Sequence, residues 1–293
     1  MQPQEGLFHS SGTYSALVLF RLHRNEARAQ LRPVLSALHT ELSSLEDVKA
    51  VLGLEPVLVL PEVRTSPPVL PREGATARLP STQAQVLVQL AADSREPLLW
   101  ALRRTTARVS GVLTLQEELL GGRIGVGREA FGFRDGLLTP GREQIQRTAL
   151  VPEGPLQGAS WLLYLRFQQD MERFARLRPG AQERVVGRTR EGEPLPSLPE
   201  DSHLARLRAA GTWENTGFIR RGFPFRDKGE EGLAFLAATA TPSIYPHALD
   251  VLLGTTGGPS DALLRYAHAV GGGLYLAPSQ DWFTPSLSRK ASP

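Results

Sequence analysis

SALVLFRLHRNEARAQL (residues 15–31) and SWLLYLRFQQDMERFARL (160–177) are the stretches on which the fold turns. Set 145 positions apart, they align Ser15 with Ser160, Leu17 with Leu162, Arg21 with Arg166 and Arg28 with Arg173. Each opens with an apolar run of strand length and passes into a charged stretch of helical character. The same offset sets QVLVQLAAD (85–93) against EEGLAFLAA (230–238), a second strand about 70 residues into each half. One offset recurring at separate places points to duplication. The Pro/Gly-rich VPEGPLQG (151–158) is the expected joint between an N-terminal half, 1–145, and a C-terminal half, 146–293. The expected fold class is α+β, each half an antiparallel sheet covered by helices. No glycine-rich loop follows a strand with the spacing of a dinucleotide-binding unit.

The remaining elements follow from periodicity. Residues 14–22 read as the first strand. Leucines at 31, 35, 38, 42 and 45 predict a helix over 25–45, with Pro33 near an end or a kink. A strand is expected at 85–92, a helix at 96–109 with Pro97 in its first turn, and a strand at 112–120. In the second half strands are expected at 161–167, 218–222, 233–238 and 273–277, and helices around 170–178, 246–253 and 260–269. The Pro-, Gly- and Glu-rich run 180–202 reads as irregular.

Composition narrows the chemistry. With 41% apolar residues over 293, sizeable cores can form and disorder is not the default. The net charge of +3 is small, and Lys occurs only at 49, 228 and 290, so no basic block marks a nucleic-acid or membrane partner. The absence of Cys excludes disulfides, thiol catalysis, thiolate-bound zinc and iron–sulfur clusters. The apolar run 16–20 is too short to span a bilayer, and a cytoplasmic protein is the expectation. No GxSxG elbow is present, which removes the common hydrolase reading.

Three segments concentrate unusual groups. In REAFGFRDGLLTP (128–140), aromatics flank Gly132 and Asp135 precedes Gly136. An Asp–Gly pair is first a turn signal, but a carboxylate beside an apolar wall is also suited to proton transfer. DSHLARLR (201–208) carries His203, one of six histidines. A lone His is often structural, and neutral imidazole is also a common axial ligand of haem iron. ENTGFIRRGFPF (214–225) holds adjacent arginines among apolar residues. On a strand, Arg220 and Arg221 point to opposite faces, so one can face a pocket.

Together these segments resemble the dye-decolourising (DyP-type) haem peroxidase family. FGFRDG looks like its distal GxxDG motif, VVGRTREGEPL (185–195) with DSHLAR like its approach to the proximal histidine, and FIRRGFPF like its distal arginine strand. GLAFLAAT (232–239), PSDALLRYAHAVGGGLYLAP (259–278) and LPSTQAQVLVQLAADS (79–94) are similar to three further family segments, in the family's order. The resemblance implies two duplicated ferredoxin-like halves, with haem b (iron protoporphyrin IX) in the C-terminal one. It implies reduction of hydrogen peroxide and oxidation of dyes, phenols or other small one-electron donors through a ferryl intermediate. A haem carrier with little turnover is the alternative.

By the same resemblance His203 is the axial iron ligand, and Asp135 and Arg220 are the catalytic pair. Leu233 and Phe235 wall the distal face, Arg206 reaches a propionate, and Asp261 (or Glu214) partners the imidazole. Two departures stand out: Gly222 where some relatives carry Asn, and LLTP after the Asp–Gly pair. Trp100, Trp161, Trp213 and Trp282 are candidate electron entry points, with Trp213 first because it precedes Arg220 by seven residues. Relatives often assemble, so a homo-oligomer is compatible. The tail WFTPSLSRKASP reads as a disordered terminus or a docking peptide.

Overall fold

A computed structural model describes residues 1–9, 12–24, 28–60, 68–123, 127–134, 136–137, 139–213, 216–227 and 229–284. In strand β1 (Tyr14–Leu22), Ala16, Val18 and Phe20 enter one core while Leu17 and Leu19 enter another. A strand buried on both faces explains the unbroken apolar run. The chain continues with α1 (Arg28–Ser43), β2 (Val48–Leu54), α2 (Pro56–Val59), β3 (Arg72–Glu73), β4 (Arg78–Leu79), β5 (Val86–Ala92), α3 (Arg95–Val109), β6 (Leu113–Gly122) and α4 (Arg142–Ala149), which crosses the expected joint at 145. The C-terminal half holds β7 (Ser160–Gln169), α5 (Met171–Ala175), α6 (Pro179–Val186), α7 (His203–Ala209), β8 (Ile219–Arg220), β9 (Phe223–Asp227), β10 (Glu230–Thr239), α8 (Ile244–Leu253), β11 (Ala267–Ala277) and α9 (Gln280–Phe283).

Nine strands form one antiparallel sheet in the order β7-β11-β2-β5-β1-β6-β9-β10-β8, and β10 pairs with β7 to close it into a barrel-like form. The N-terminal strands stand in the order β6-β1-β5-β2, and the C-terminal strands in the order β11-β7-β10 followed by β9 and β8. Each set therefore places its first and third long strands at its centre. The sets meet at Leu276↔Leu54 and at Gly121↔Phe225. The inside is filled by Leu17, Leu87, Leu162, Tyr164, Phe223 and Tyr275. The outer face of the N-terminal sheet is covered by α1 and α3, and that of the C-terminal sheet by α8 and the single turn Ala262–Arg265.

Three expectations are corrected. Of the run 180–202, residues 180–186 are helical: Pro179, just before it, opens α6, and Gly187, in the left-handed conformation, closes it, while 187–202 is irregular as expected. The helix expected over 260–269 shrinks to the turn Ala262–Arg265, capped by Asp261, and the last strand starts at Ala267 rather than 273. The strand β2 went unread because Lys49 and Gly53 interrupt its pattern, and Gly53 makes room for Tyr275 and Leu162 from the other half. Pro33 lies inside α1, in its second turn. No helix among the described residues is long and apolar enough to cross a membrane.

On α1, Leu31, Leu35, Leu38 and Leu42 face the core, and His39 stacks flat on Phe283 with ring centres 4.3 Å apart. Burial lowers the His39 pKa below its ordinary 6.5. Near pH 6 the unfolded chain then binds more protons than the folded one, so stability rises with pH and is lost as pH falls through 6.5. The melting temperature should drop between about pH 7.5 and 5.5. A His39→Phe chain with the same slope would show that His39 does not cause it.

Candidate functional site

His203 is placed by a helix start. Ser202 caps α7, its hydroxyl accepting from the Ala205 N–H at 3.4 Å, so the imidazole leaves from the first helical residue. The Nδ1 atom of His203 lies 2.6 Å from Oδ2 of Asp261, whose side chain is 2% exposed. The other oxygen, Oδ1, accepts the Leu263 N–H at 2.8 Å. A carboxylate only accepts, so Nδ1 carries a proton, and in the neutral tautomer the lone pair is therefore on Nε2. The side chain of His203 remains 33% exposed.

Across the sheet, Arg220 stands opposite Ala237, and paired residues share a face. With a strand period of two, Arg220, Phe235 and Leu233 line the side of the C-terminal sheet that α8 and the Ala262–Arg265 turn cover. Phe235 and Leu233 are half-buried. Phe218 meets Phe235 edge to face at 6.3 Å, and the Arg220 guanidinium carbon sits 5.0 Å from the Phe218 ring centre. Among the described residues the Thr212 carbonyl, at 2.9 Å, is the only hydrogen-bond acceptor of Arg220. Burial of the guanidinium lowers its pKa to about 10, which leaves it charged at neutral pH.

Arg221 points the other way. It is 4% exposed and donates to the carbonyls of Leu7 at 2.7 Å and Gly6 at 2.8 Å, and to Gln89 Oε1 at 3.2 Å. Arg206 is also buried; its Nη2 donates to the Val251 carbonyl at 3.1 Å and packs under Gly258, while Nε has no partner among the described residues. Asp135 and Glu214 lie outside the described residues, as does the tail 285–293. Trp100 is exposed, Trp161 is buried, and Trp213 and Trp282 are half-buried.

Sequence reasoning missed a clasp beside position 135. GREAFG (127–132) and GRTREG (187–192) fold into twin turns. Gly132 N–H bonds the Glu129 carbonyl at 2.9 Å, and Gly192 N–H bonds that of Thr189 at 3.0 Å. Each turn serves the other: Arg134 N–H donates to the Arg190 carbonyl at 2.9 Å, and Arg188 Nη1 to the Arg134 carbonyl at 2.8 Å. Arg128 pairs with Glu191 at 2.6 Å. Gly132 has a φ of 85°, a left-handed backbone that favours glycine at this turn. Phe131 and Phe133 are buried with Phe174 and Tyr266. The repeated G-R-x-x-x-G pattern was the signal available in the sequence.

The class is thus a barrel-like α+β protein with a carboxylate-backed imidazole at the start of α7 and a guanidinium on a covered sheet face. Residues 127–282, over half of the chain, match the family model described as Dyp-type peroxidase, C-terminal. The chain belongs to the Dyp-type peroxidase family. It is 28% identical over 232 residues to a dye-decolorizing peroxidase of Mycolicibacterium paratuberculosis, covering 75% of this chain and 65% of that protein. A dye-decolorizing peroxidase of Mycobacterium tuberculosis is 27% identical, covering 77% of this chain and 71% of its own length. The chain therefore spans about two thirds of those relatives. Among solved structures, a Dyp-type peroxidase protein of Shewanella oneidensis superposes with a TM-score of 0.86 at 23% identity, over 96% of this chain and 97% of that one. A Rhodococcus jostii DypB variant in complex with heme superposes with a TM-score of 0.86 at 21% identity, over the same shares.

Proposed function

We propose that the chain is a haem b-dependent peroxidase, built from two duplicated ferredoxin-like halves, with the cofactor in the C-terminal half. It would reduce hydrogen peroxide at the expense of dyes, phenols or other one-electron donors. The observation that carries this reading is the 2.6 Å hydrogen bond from His203 to buried Asp261, with Arg220 on the sheet face that α8 and the Asp261-capped turn cover. The residues fit the group by donor chemistry. An imidazole whose Nδ1 is engaged by Asp261 leaves Nε2 as the nitrogen that would bind iron, half-buried Leu233 and Phe235 suit a flat apolar partner, and the orphaned Nε of buried Arg206 suits a propionate. Bound haem would supply the iron that takes up the oxidising equivalents of peroxide.

The chain's own residues would do the rest. His203 binds through Nε2, and Asp261, by accepting from Nδ1, makes that nitrogen a stronger donor. The Asp135 carboxylate takes a proton from hydrogen peroxide and returns it to the departing oxygen, which leaves as water. Arg220 stabilises the negative charge that develops as the O–O bond opens. Leu233 and Phe235 keep bulky reductants away, so electrons enter at an edge or through surface aromatics. Gly222 brings no side-chain amide to the site.

Hemin titration tests this. The purified chain should develop a Soret band distinct from free hemin, and His203→Ala should weaken or shift it. One equivalent of hydrogen peroxide should then change the spectrum within the stopped-flow window. A chain that binds hemin through His203 but leaves peroxide untouched would be a carrier, and the peroxidase reading would fall.

A further inference from the structure

We infer that Arg72, from the N-terminal half, is a positioning residue for the His203–Asp261 pair, an inference that rests on the haem reading above. The β3–β4 hairpin leaves its own half and lies on the other. Val69 and Leu79 are buried among residues of the C-terminal half, and Gly74 packs so closely that an added Cβ would sit 2.6 Å from the Leu253 carbonyl. Beyond the hairpin, the Thr82 N–H donates to the Gly272 carbonyl at 2.7 Å and the Thr82 hydroxyl accepts from the Gly272 N–H at 3.0 Å.

Arg72 is held firmly. Its Nε donates to the Val69 carbonyl at 2.9 Å and its Nη2 to that of Pro68 at 3.2 Å, which fixes the guanidinium plane on its own hairpin. Its Nη1 then meets Asp250 Oδ1 at 2.5 Å, with the two side chains 14% and 31% exposed. The partner is chosen by the fold, since Asp250 sits in the last turn of α8. That turn supports the segment leading to Asp261. The Asp250 carbonyl accepts the Thr255 N–H at 3.0 Å, and the Leu252 carbonyl accepts the Asp261 N–H at 2.8 Å. A second tie, from the Thr76 hydroxyl to the Ser260 hydroxyl at 2.9 Å, holds the residue immediately before Asp261.

The chain of contacts therefore runs from Arg72 through the end of α8 to the carboxylate on the imidazole. Charge-assisted hydrogen bonds weaken steeply with distance and angle, so a small shift of Asp261 changes how much electron density reaches Nε2. A more basic imidazole favours ferric over ferrous iron. Removing Arg72 should loosen the carboxylate and raise the reduction potential. An ion pair that serves only to join the halves would change stability and leave the potential alone.

The test is the ferric/ferrous midpoint potential of the full chain loaded with hemin, measured for wild type, Asp261→Asn, Arg72→Met, Arg72→Lys and the Arg72→Met/Asp261→Asn double variant. Asp261→Asn sets the full scale of the shift. Arg72→Met is expected to shift the potential in the same, positive direction by a smaller amount. Arg72→Lys should recover most of the loss, and the double variant should shift no further than Asp261→Asn alone. If Arg72→Met does not fold, Thr76→Val loosens the same segment more gently and should give a smaller shift of the same sign. An Arg72→Met potential equal to wild type, or shifts that simply add in the double variant, would overturn the inference. An Asp261→Asn potential equal to wild type would instead remove the proximal assignment, and this inference with it.

Discussion

Arg220→Ala is expected to slow the reaction with hydrogen peroxide about 100-fold, the loss of ~3 kcal/mol that follows removal of one preorganised donor at a site of developing charge. The guanidinium suits this task for three reasons visible in its surroundings. It remains charged, because burial lowers its pKa only to about 10. It is aimed by the short strand β8 and braced by the Thr212 carbonyl at 2.9 Å, so little reorganisation is needed. Of its five donors one is committed there, and no other described residue accepts from the rest. The measurement is the second-order rate of the spectral change on mixing hemin-loaded protein with peroxide. Asp135→Asn should lower that rate less if the guanidinium carries most of the charge stabilisation. Full rates in both variants would remove this mechanism, whatever the hemin affinity.

Strand period made much of the fold legible. Ala16, Val18 and Phe20 alternate with Leu17 and Leu19 between two cores, and an apolar run of that length has few other fates. Ser15, second in β1, and Ser160, first in β7, are both wholly buried, and neither hydroxyl has a partner among the described residues. What the pattern did not carry is closure. The joins at Leu276↔Leu54 and Gly121↔Phe225 involve strands far apart in sequence and leave no periodic trace. The site divides in the same way. His203, Asp261 and Arg220 were singled out through a family resemblance, not through spacing. The 2.6 Å contact across 58 residues is geometry that no local pattern encodes. Arg72 and Asp250, 178 residues apart, gave no signal at all, because an ordinary Arg in a loop looks like a solvated charge. The Arg220–Arg221 pair falls between these cases. Alternation required opposite faces, but only the contacts show that the inward-looking neighbour is engaged with backbone carbonyls of the N-terminal segment.

That neighbour should matter for stability as Arg220 matters for rate. Arg221→Met is expected to destabilise the fold by ~1 kcal/mol, from two opposed effects. The substitution removes a buried charge whose cost is visible in a pKa lowered from 12.5 to about 10, and relief of that burden is worth ~3 kcal/mol in the variant's favour. Against it, the Leu7 carbonyl and the Gln89 side-chain oxygen lose their donor together, at ~2 kcal/mol for each buried acceptor left unmade, while the Gly6 carbonyl keeps the His9 N–H at 3.2 Å. The loss wins because the acceptors cannot turn to water. Leu7 is 1% exposed, and a Cβ on Gly6 would already overlap the Ala50 carbonyl at 2.1 Å. The strand itself should survive, since the Arg221 N–H still bonds the Leu236 carbonyl at 2.7 Å and its own carbonyl still accepts Gln89 Nε2 at 3.0 Å. Equilibrium denaturation should therefore show a lower midpoint with an unchanged slope, and proteolysis should begin near residues 4–8. Arg220→Ala, which breaks one bond to one carbonyl, should move the midpoint far less. If the two variants unfolded at the same denaturant concentration, the division of labour between the adjacent arginines would be wrong, and Arg221 would have to be sought among the groups that touch peroxide.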